Sequence, residues 1–303
     1  MWAVRAALVI AVVASAVFAV TALLPGDAAD VAAGADRAAA EQIRSATGQD
    51  ASALSRLGDW WWGVARGDLG SSLVDGAPVA PLVLRRFGST LAVAAPAWAL
   101  AVAVGALIAV LAAARRGRRG DGAATAAVAV AAGVPESVLL IVLVLVLSTG
   151  LGWLPAVSTL PPGVGPVAAP EVLVLPVLAL ALPSAAWAAR TLRGPAEDAL
   201  RDPVVASAVE RGVPLLRVGW RHVLPRLAPP LAQSAAVLAG AVLGGGAVVE
   251  SLLDYPGLGR LLVGAVASRD VPVVQGAALV LTAVSVFALT AADALTKRRA
   301  GRP

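Results

Sequence analysis

Long runs of apolar residues alternate with short polar stretches along the whole chain of 303 residues. An α-helix needs about 20 consecutive apolar residues to cross the hydrocarbon core of a bilayer. Six runs approach or exceed this length, at residues 3–24, 90–113, 123–148, 172–189, 231–252 and 276–296. The pattern therefore predicts an all-α integral membrane protein with six transmembrane helices.

Composition supports the membrane class and argues against several others. Hydrophobic residues make up 59% of the chain and charged residues 14%, with a mean hydropathy of +0.83. The chain has no cysteine and a single histidine, His222, so a thiolate or histidine-based metal site cannot be assembled within it. It also lacks the glycine-rich phosphate loop and the Gly-x-Ser-x-Gly nucleophile pattern. We therefore predict no catalytic residue, no metal and no cofactor.

The basic residues are distributed unevenly between the two sides of the predicted spans. Sixteen of the 24 Lys and Arg residues fall on the side that carries both termini and the loop after the fourth span. Cytoplasmic loops are enriched in Lys and Arg, which predicts a plasma or inner membrane protein with both termini in the cytoplasm. Because these charges flank the spans, the pI of 11.0 does not indicate nucleic-acid binding.

This topology divides the chain into segments. They are a first transmembrane helix (1–24), an extracytoplasmic segment (25–89), a five-helix core (90–296) with a cytoplasmic coupling loop (190–230), and a basic cytoplasmic tail (297–303). The extracytoplasmic segment contains three consecutive tryptophans, Trp60 to Trp62. Such a cluster predicts contact with the outer lipid headgroups, with stacking on a substrate as the alternative.

The loop between the fourth and fifth spans carries the most informative pattern. Residues 206–230 are rich in arginine and predict two short helices separated at Gly212. Ala208 precedes Gly212 by four residues, His222 follows it by ten and Pro230 by eighteen. These positions resemble the cytoplasmic "EAA" coupling loop of ABC importer permeases, most closely that of the dipeptide/oligopeptide/nickel permease family.

Further segments match the same family in the same order. They lie at residues 25–27, 67–72, 152–155, 255–260 and 269–276. Each alone is a common turn sequence, but their order and spacing extend the resemblance over nearly the whole chain. The loop departs from the family pattern at Val204, Val209 and Glu210, which leaves the exact subfamily open.

The resemblance implies a type I ABC importer permease fold and a set of partners. These partners are a homologous second permease subunit, two ABC ATPase subunits that bind the ATP, an extracytoplasmic substrate-binding protein and the lipid bilayer. The residues that it implies for ATPase coupling are Ser207, Ala208, Glu210, Arg211, Gly212, Arg217 and His222. The residues that we assign by hypothesis to an outer gate or binding-protein contact are Glu250, Pro256, Gly257, Gly259, Arg260 and Asp270. The implied solutes are peptides or similar small molecules, with nickel or another non-peptide solute as the alternative.

One carboxylate lies inside a predicted span. Glu136 follows Pro135 about midway along the third span, where a charge is costly unless it faces a polar cavity or a partner. We hypothesise that Glu136 lines the pathway and favours cationic or amine-bearing solutes; a hydrogen bond between helices, made by the protonated form, is the alternative. Gly244, Gly245 and Gly246 in the fifth span predict either close packing or a flexible point near a gate. An ion-coupled secondary transporter would require paired ionisable residues at midplane, whereas Glu136 stands alone.

Overall fold

The computed structural model describes residues 2–23, 52–160 and 165–300, and these residues form helices joined by short connections. The helices are α1 (Trp2–Leu23), α2 (Ala53–Ala65), α3 (Val79–Ala114), α4 (Asp121–Gly133), α5 (Glu136–Leu143), α6 (Glu171–Arg201), α7 (Pro203–Glu210), α8 (Leu215–Val218), α9 (Leu224–Leu252), α10 (Leu258–Ala267) and α11 (Val271–Ala300). π-helical turns extend α5 through Val144–Gly150 and join α8 to α9 through Gly219–Val223. Five helices are long and apolar enough to cross a membrane, and the bent pair of α4 and α5 makes a sixth when the two are counted as one span. The predicted all-α membrane fold is confirmed.

Helix α6 is the centre of the bundle. It packs against α3, α4, α5 and α9. In its most apolar stretch of 18 residues, 56% of the residues are buried, compared with 11% in the corresponding stretch of α1. Alanines make up most of its buried face, and small residues allow neighbouring helices to approach closely. Gly105 of α3 marks the closest approach, because a Cβ at this position would lie 2.5 Å from Ala188 Cβ and 2.8 Å from the Ala185 carbonyl oxygen.

We expect Gly105→Ala to destabilise the permease fold by about 1–3 kcal/mol, because the added methyl group meets the backbone of α6 and forces the two helices apart. A lower midpoint of thermal unfolding in detergent would measure the effect. Gly88→Ala in the same helix is the matched control, since no atom lies within 4 Å of a Cβ at that position. Equal midpoints for the two variants would contradict the close contact between α3 and α6.

The third predicted span is not a single helix. Helix α4 ends at Gly133, α5 begins at Glu136, and the two are bent by 98°. Pro135 lacks a backbone N–H and disfavours helical dihedrals at the residue before it. Val134 accordingly has an extended backbone, with φ −76° and ψ 121°. The continuous helix predicted over residues 123–148 is therefore corrected to a broken span.

Two other helices begin well before the apolar runs that predicted them. Helix α3 starts at Val79 rather than near residue 90, and helical backbone continues from Leu215 into α9 rather than starting near residue 231. Hydropathy identifies the part of a helix that fits the bilayer, whereas backbone hydrogen bonding extends each helix beyond that part. The long extension before α9 connects the coupling loop directly to a spanning helix.

Helix α1 lies at the edge of the bundle, against α11 and α2. Trp61 of α2 donates a hydrogen bond of 3.1 Å to a serine hydroxyl of α1, and the rings of Trp60 and Phe18 lie 6.1 Å apart. The side chain of Trp62 is 62% exposed. Two of the three tryptophans thus pack on α1, whereas the exposed Trp62 ring lies 4.3 Å from the Arg66 guanidinium. The family-like segment at residues 25–27 lies outside the described residues.

Candidate functional site

The loop between α6 and α9 is a compact helical unit that is fastened at both ends. Asp202 caps the start of α7, because its Oδ1 accepts a hydrogen bond of 2.8 Å from the Val204 N–H. The second carboxylate oxygen of Asp202 pairs with the Arg226 guanidinium at 2.8 Å. The bond from Val204, followed by the interactions with Arg226, holds the pKa of Asp202 below its ordinary value. The charged carboxylate therefore joins the beginning of the loop to its end.

The turn after α7 depends on a left-handed glycine. Gly212 has φ 73°, and the Val213 N–H donates a hydrogen bond of 3.1 Å back to the Ala208 carbonyl. This arrangement ends the helix with a residue that has no Cβ penalty in the left-handed region. Helix α8 follows and runs through the π-helical turn into α9, so the loop is continuous with a spanning helix.

The predicted coupling residues do not all face outward. Four are exposed on the loop surface: Glu210, Arg211, Gly212 and Arg217. Ser207 and His222 are half-buried. Ala208 has no exposed surface and belongs to the core cluster shared by α3, α6 and the loop. Its place in the loop is therefore structural, whereas the four exposed residues can meet a partner.

Sequence reasoning missed two groups in this loop. An Asp-Pro pair is a recognisable helix start and could have identified Asp202, but no sequence signal pairs it with Arg226, 24 residues later. Leu216 and Trp220 are 76% and 66% exposed and line an apolar hollow of about 540 Å³ together with Leu107 and Val110 of α3. They therefore face the apolar part of a spanning helix, whereas the charged residues of the loop remain free to meet a partner.

The break between α4 and α5 brings Glu136 against α9. Its half-buried carboxylate occupies the space that a Cβ on Gly245 would fill, whereas a Cβ on Gly244 or Gly246 would have no neighbour within 4 Å. Helix α9 remains unbroken through all three glycines. Within residues 2–23, 52–160 and 165–300, no hydrogen bond or ion pair involves the Glu136 carboxylate. Gly245 therefore allows an unpaired carboxylate to lie beside α9.

Glu250 is buried at the opposite end of α9 from the coupling loop, with 1% of its surface exposed. Its carboxylate accepts hydrogen bonds from the Thr90 hydroxyl at 2.7 Å, from the Gly259 N–H at 2.7 Å and from the Arg260 N–H at 3.3 Å. A Cβ at Gly257 would overlap the same carboxylate. Glu250 therefore organises the turn between α9 and α10 from the inside.

The same turn is anchored to α3 at further points. Tyr255 is fully buried, and its hydroxyl donates a hydrogen bond of 2.8 Å to the Ser89 carbonyl. Burial, and then the charge of Glu250, raises the pKa of Tyr255 well above its ordinary value, so this hydroxyl stays a donor. The Pro256 carbonyl accepts a hydrogen bond of 3.1 Å from the Arg86 guanidinium. The turn is thus a fixed element on α3.

A cavity of about 320 Å³ lies between this turn, the start of α3 and the chain that enters α11. Asp270, 4% exposed, closes one side by accepting hydrogen bonds from the Ser72 hydroxyl at 2.5 Å and the Leu73 N–H at 3.1 Å. Arg86 and Arg260 also line the cavity. Arg260 is the exposed charged member of the predicted outer set, whereas the carboxylates of that set are buried.

Comparison with known proteins identifies the class of this arrangement. Residues 105–301 match the family described as binding-protein-dependent transport system inner membrane component. The chain belongs to this permease family. The matched range contains the broken span, the loop with Gly212 and the turn around Glu250. The predicted recognition is confirmed, and the fold is that of type I ABC importer permeases.

Individual relatives cover most of the permease. It is 31% identical over 275 residues to a putative peptide transport system permease protein of Brucella abortus (strain 2308), which covers 90% of this chain and 88% of the relative. It is 32% identical over 266 residues to a glutathione transport system permease protein of Pectobacterium atrosepticum, covering 86% and 83%. The corresponding protein of Escherichia coli (strain K12) is 31% identical over 273 residues, covering 89% and 87%. The permease is therefore a multi-pass inner membrane transport subunit of a non-catalytic class.

Proposed function

We propose that this permease is the transmembrane subunit of an ATP-driven importer for peptides or similar small solutes. The observation that carries the proposal is the coupling loop, a helical unit that turns at left-handed Gly212 and continues into α9. A partner that pushes on such a unit moves a spanning helix with it. The relatives named as peptide and glutathione transport permeases support peptides as the solute class.

In this proposal the coupling loop and both termini lie in the cytoplasm, and segment 25–89 and the turn around Glu250 lie outside. The excess of arginine near the loop and the termini supports this orientation. The loop and the Glu250 turn also occupy opposite ends of α9, so a single membrane crossing separates them. An ATPase contact and a binding-protein contact require this separation.

Two ATPase subunits bind beneath the membrane domain, one on this loop and one on the loop of a homologous second permease. Exposed Glu210, Arg211 and Arg217 provide charged contacts. ATP is bound and hydrolysed by the ATPases. Their closure moves the loop, and α9 transmits the movement to a pore formed by both permeases.

A binding protein delivers the solute to the outer surface. Arg260 and the edge of Pro256 are the members of the predicted outer set that reach this surface. Glu250 and Asp270 are buried and hold the backbone beneath it. We therefore assign contact with the binding protein to Arg260 and a positioning role to the two carboxylates.

Glu136 is the residue that we propose to meet the solute inside the pathway. We expect Glu136→Gln to reduce uptake of peptides with a free amino terminus about tenfold, since a hydrogen bond between charged groups contributes about 1.5–3 kcal/mol. Uptake of the same peptide with an acetylated amino terminus should change little. ATP-driven uptake in proteoliposomes that contain the complete complex measures both.

Glu171→Gln makes the same chemical change at an exposed acid in the first turn of α6 and serves as the control. This variant should take up the free and the acetylated peptide at the wild-type rate. If Glu136→Gln lowered uptake of the free and acetylated peptides equally, or of neither, the role of Glu136 in recognising an amine would be wrong.

The assembly is tested by purifying a tagged permease gently from its native membrane and identifying its partners by mass spectrometry. We expect a second permease and two ATPase subunits. Recovery of the chain alone, with uptake that survives ATP depletion and is abolished by an uncoupler, would favour an ion-coupled transporter instead. A co-purified binding protein that retained a nickel chelate would overturn the peptide assignment and leave the importer class intact.

A further inference from the structure

A second cavity, of about 560 Å³, opens where α3, α4 and α6 meet. Its volume lies within the range of about 300–1,000 Å³ that is typical of ligand pockets. The wall is mainly apolar and is formed by Ile108, Leu111, Ala112, Ala124, Val128 and Ala189. The rim is basic and is formed by Arg115, Arg118, Arg119, Arg190 and Arg193. The cavity is therefore amphiphilic, with an apolar interior and a cationic mouth.

The positive charge at the mouth is only partly neutralised. Arg193 pairs with Asp121 at 2.7 Å and with Glu197 at 3.0 Å. The other four rim arginines are exposed and form no ion pair with an acid in the part of the chain that the structure describes. An excess of guanidinium groups thus surrounds the opening.

One side of the rim is held in place by hydrogen bonds and an ion pair. The connection from α3 to α4 turns at Gly117 and Gly120, with φ 74° and 91°. The Gly117 N–H donates a hydrogen bond of 3.1 Å to Asp121, and the pair between Asp121 and Arg193 ties this turn to α6. Groups held in this way lose less conformational entropy when a ligand binds. Arg193 and the backbone of the turn are therefore preformed at the mouth.

The cavity lies where the apolar run of a spanning helix ends, which is where a membrane boundary is expected. The apolar run of α3 ends at Ala114, and four arginines follow within the next five residues. Lipid phosphates lie at this depth, and their oxygens match the fork of guanidinium donors. Basic pockets between transmembrane helices attract acidic headgroups. The wall below the mouth offers an acyl chain an apolar surface.

We propose that this cavity binds an anionic phospholipid, with its headgroup phosphate on the rim arginines and an acyl chain along the wall. Inorganic phosphate offers the same anionic oxygens but gains nothing from the apolar wall, so the geometry favours the lipid. This inference does not depend on the transported solute or on the orientation of the chain. The lipid proposal can therefore fail while the proposed transport function holds, and the transport function can fail while the lipid proposal holds.

The test uses the permease complex as it purifies from its native membrane, delipidated in detergent and titrated with phosphatidylglycerol. Native mass spectrometry reports the bound lipid, with phosphatidylcholine as the neutral reference. We expect selective binding of phosphatidylglycerol, weakened about thirtyfold by Arg118→Gln with Arg119→Gln, since each basic residue near a lipid surface contributes about one kcal/mol. Arg298→Gln with Arg299→Gln removes the same charge from the basic tail and should leave binding unchanged.

A third variant separates the lipid from a free anion. Ala124→Trp fills the apolar part of the cavity and keeps every arginine. It should abolish selective lipid binding. If lipid binding survived Ala124→Trp and was displaced by millimolar inorganic phosphate, the mouth would be a simple anion site. The proposal would be overturned if the rim and tail variants lost phosphatidylglycerol binding equally. It would also be overturned if the wild-type complex bound phosphatidylglycerol and phosphatidylcholine equally. A crosslink between the cysteine of Ala124→Cys and the second permease, in a complex that retains no lipid, would also overturn the proposal, because the partner subunit would then cover the cavity.

Discussion

Replacing Gly212 by valine should reduce ATP-driven uptake by about tenfold while the permease remains folded and assembled. A residue with a Cβ pays about 1–2 kcal/mol in the left-handed region, and a branched Cβ makes the conformation a genuine outlier. A cost of 1.4 kcal/mol corresponds to a factor of ten. No atom lies within 4 Å of a Cβ at Gly212, so the effect arises from the backbone turn and not from a collision.

Gly212→Asn is the matched control, because asparagine adopts the left-handed conformation more readily than other residues with a side chain. It should retain most of the uptake. Uptake and ATP hydrolysis are measured together in proteoliposomes that contain the partner subunits. Valine should lower the amount of solute transported per ATP, since α7 would no longer be aligned with α8. Equal uptake by the valine and asparagine variants would show that the turn does not transmit movement.

Glu250→Ala should cause the largest loss of stability among the substitutions considered. The Thr90 hydroxyl, the Gly259 N–H and the Arg260 N–H would all lose their shared acceptor. A buried donor without an acceptor costs about 1–3 kcal/mol, so we expect a loss of at least about 3 kcal/mol. The midpoint of thermal unfolding in detergent, followed by light scattering and helical circular dichroism, should fall accordingly.

Two further variants show whether the buried hydrogen bonds are the cause. Glu250→Gln keeps one acceptor oxygen but presents an amide N–H₂ to donors that need an acceptor, so its midpoint should lie between those of the wild type and Glu250→Ala. Glu171→Ala removes an exposed acid and should change the midpoint little. If Glu250→Ala and Glu171→Ala unfolded at the same temperature, the turn between α9 and α10 would not depend on Glu250.

Hydropathy was sufficient to predict the spans, because a bilayer requires long apolar helices whatever their packing. It could not predict how the third span is built. Pro135 was visible as a helix breaker, but proline produces anything from a slight kink to a full break. The bend of 98° emerges from the packing of α4 and α5 on α6, which no local pattern contains. The early start of α3 at Val79 was hidden for a related reason, since residues outside the bilayer do not have to be apolar.

The candidate sites were predictable to different degrees. The coupling loop was located by its resemblance to a family, and Gly212 has the left-handed conformation that a helix-ending glycine suggests. The burial of Glu250 was not predictable, because its partner Thr90 lies 160 residues away in the sequence. Ala208 matches the family pattern for a different reason from the exposed residues beside it, since it fills the core beneath them. A sequence motif identifies the loop, but it does not distinguish the exposed residues that can contact a partner from the buried residues that hold the loop in place.

The broken third span has a consequence for how the chain enters the membrane. Helix α4 has 13 residues, about 20 Å of helix, and α5 with its π-helical turn has a similar length. Neither piece alone matches the hydrocarbon thickness of about 30 Å. A nascent chain that has emerged only as far as Gly133 therefore holds a segment too short to anchor across the bilayer. We therefore expect the two pieces to be inserted as one unit, after residues near 150 have left the ribosome.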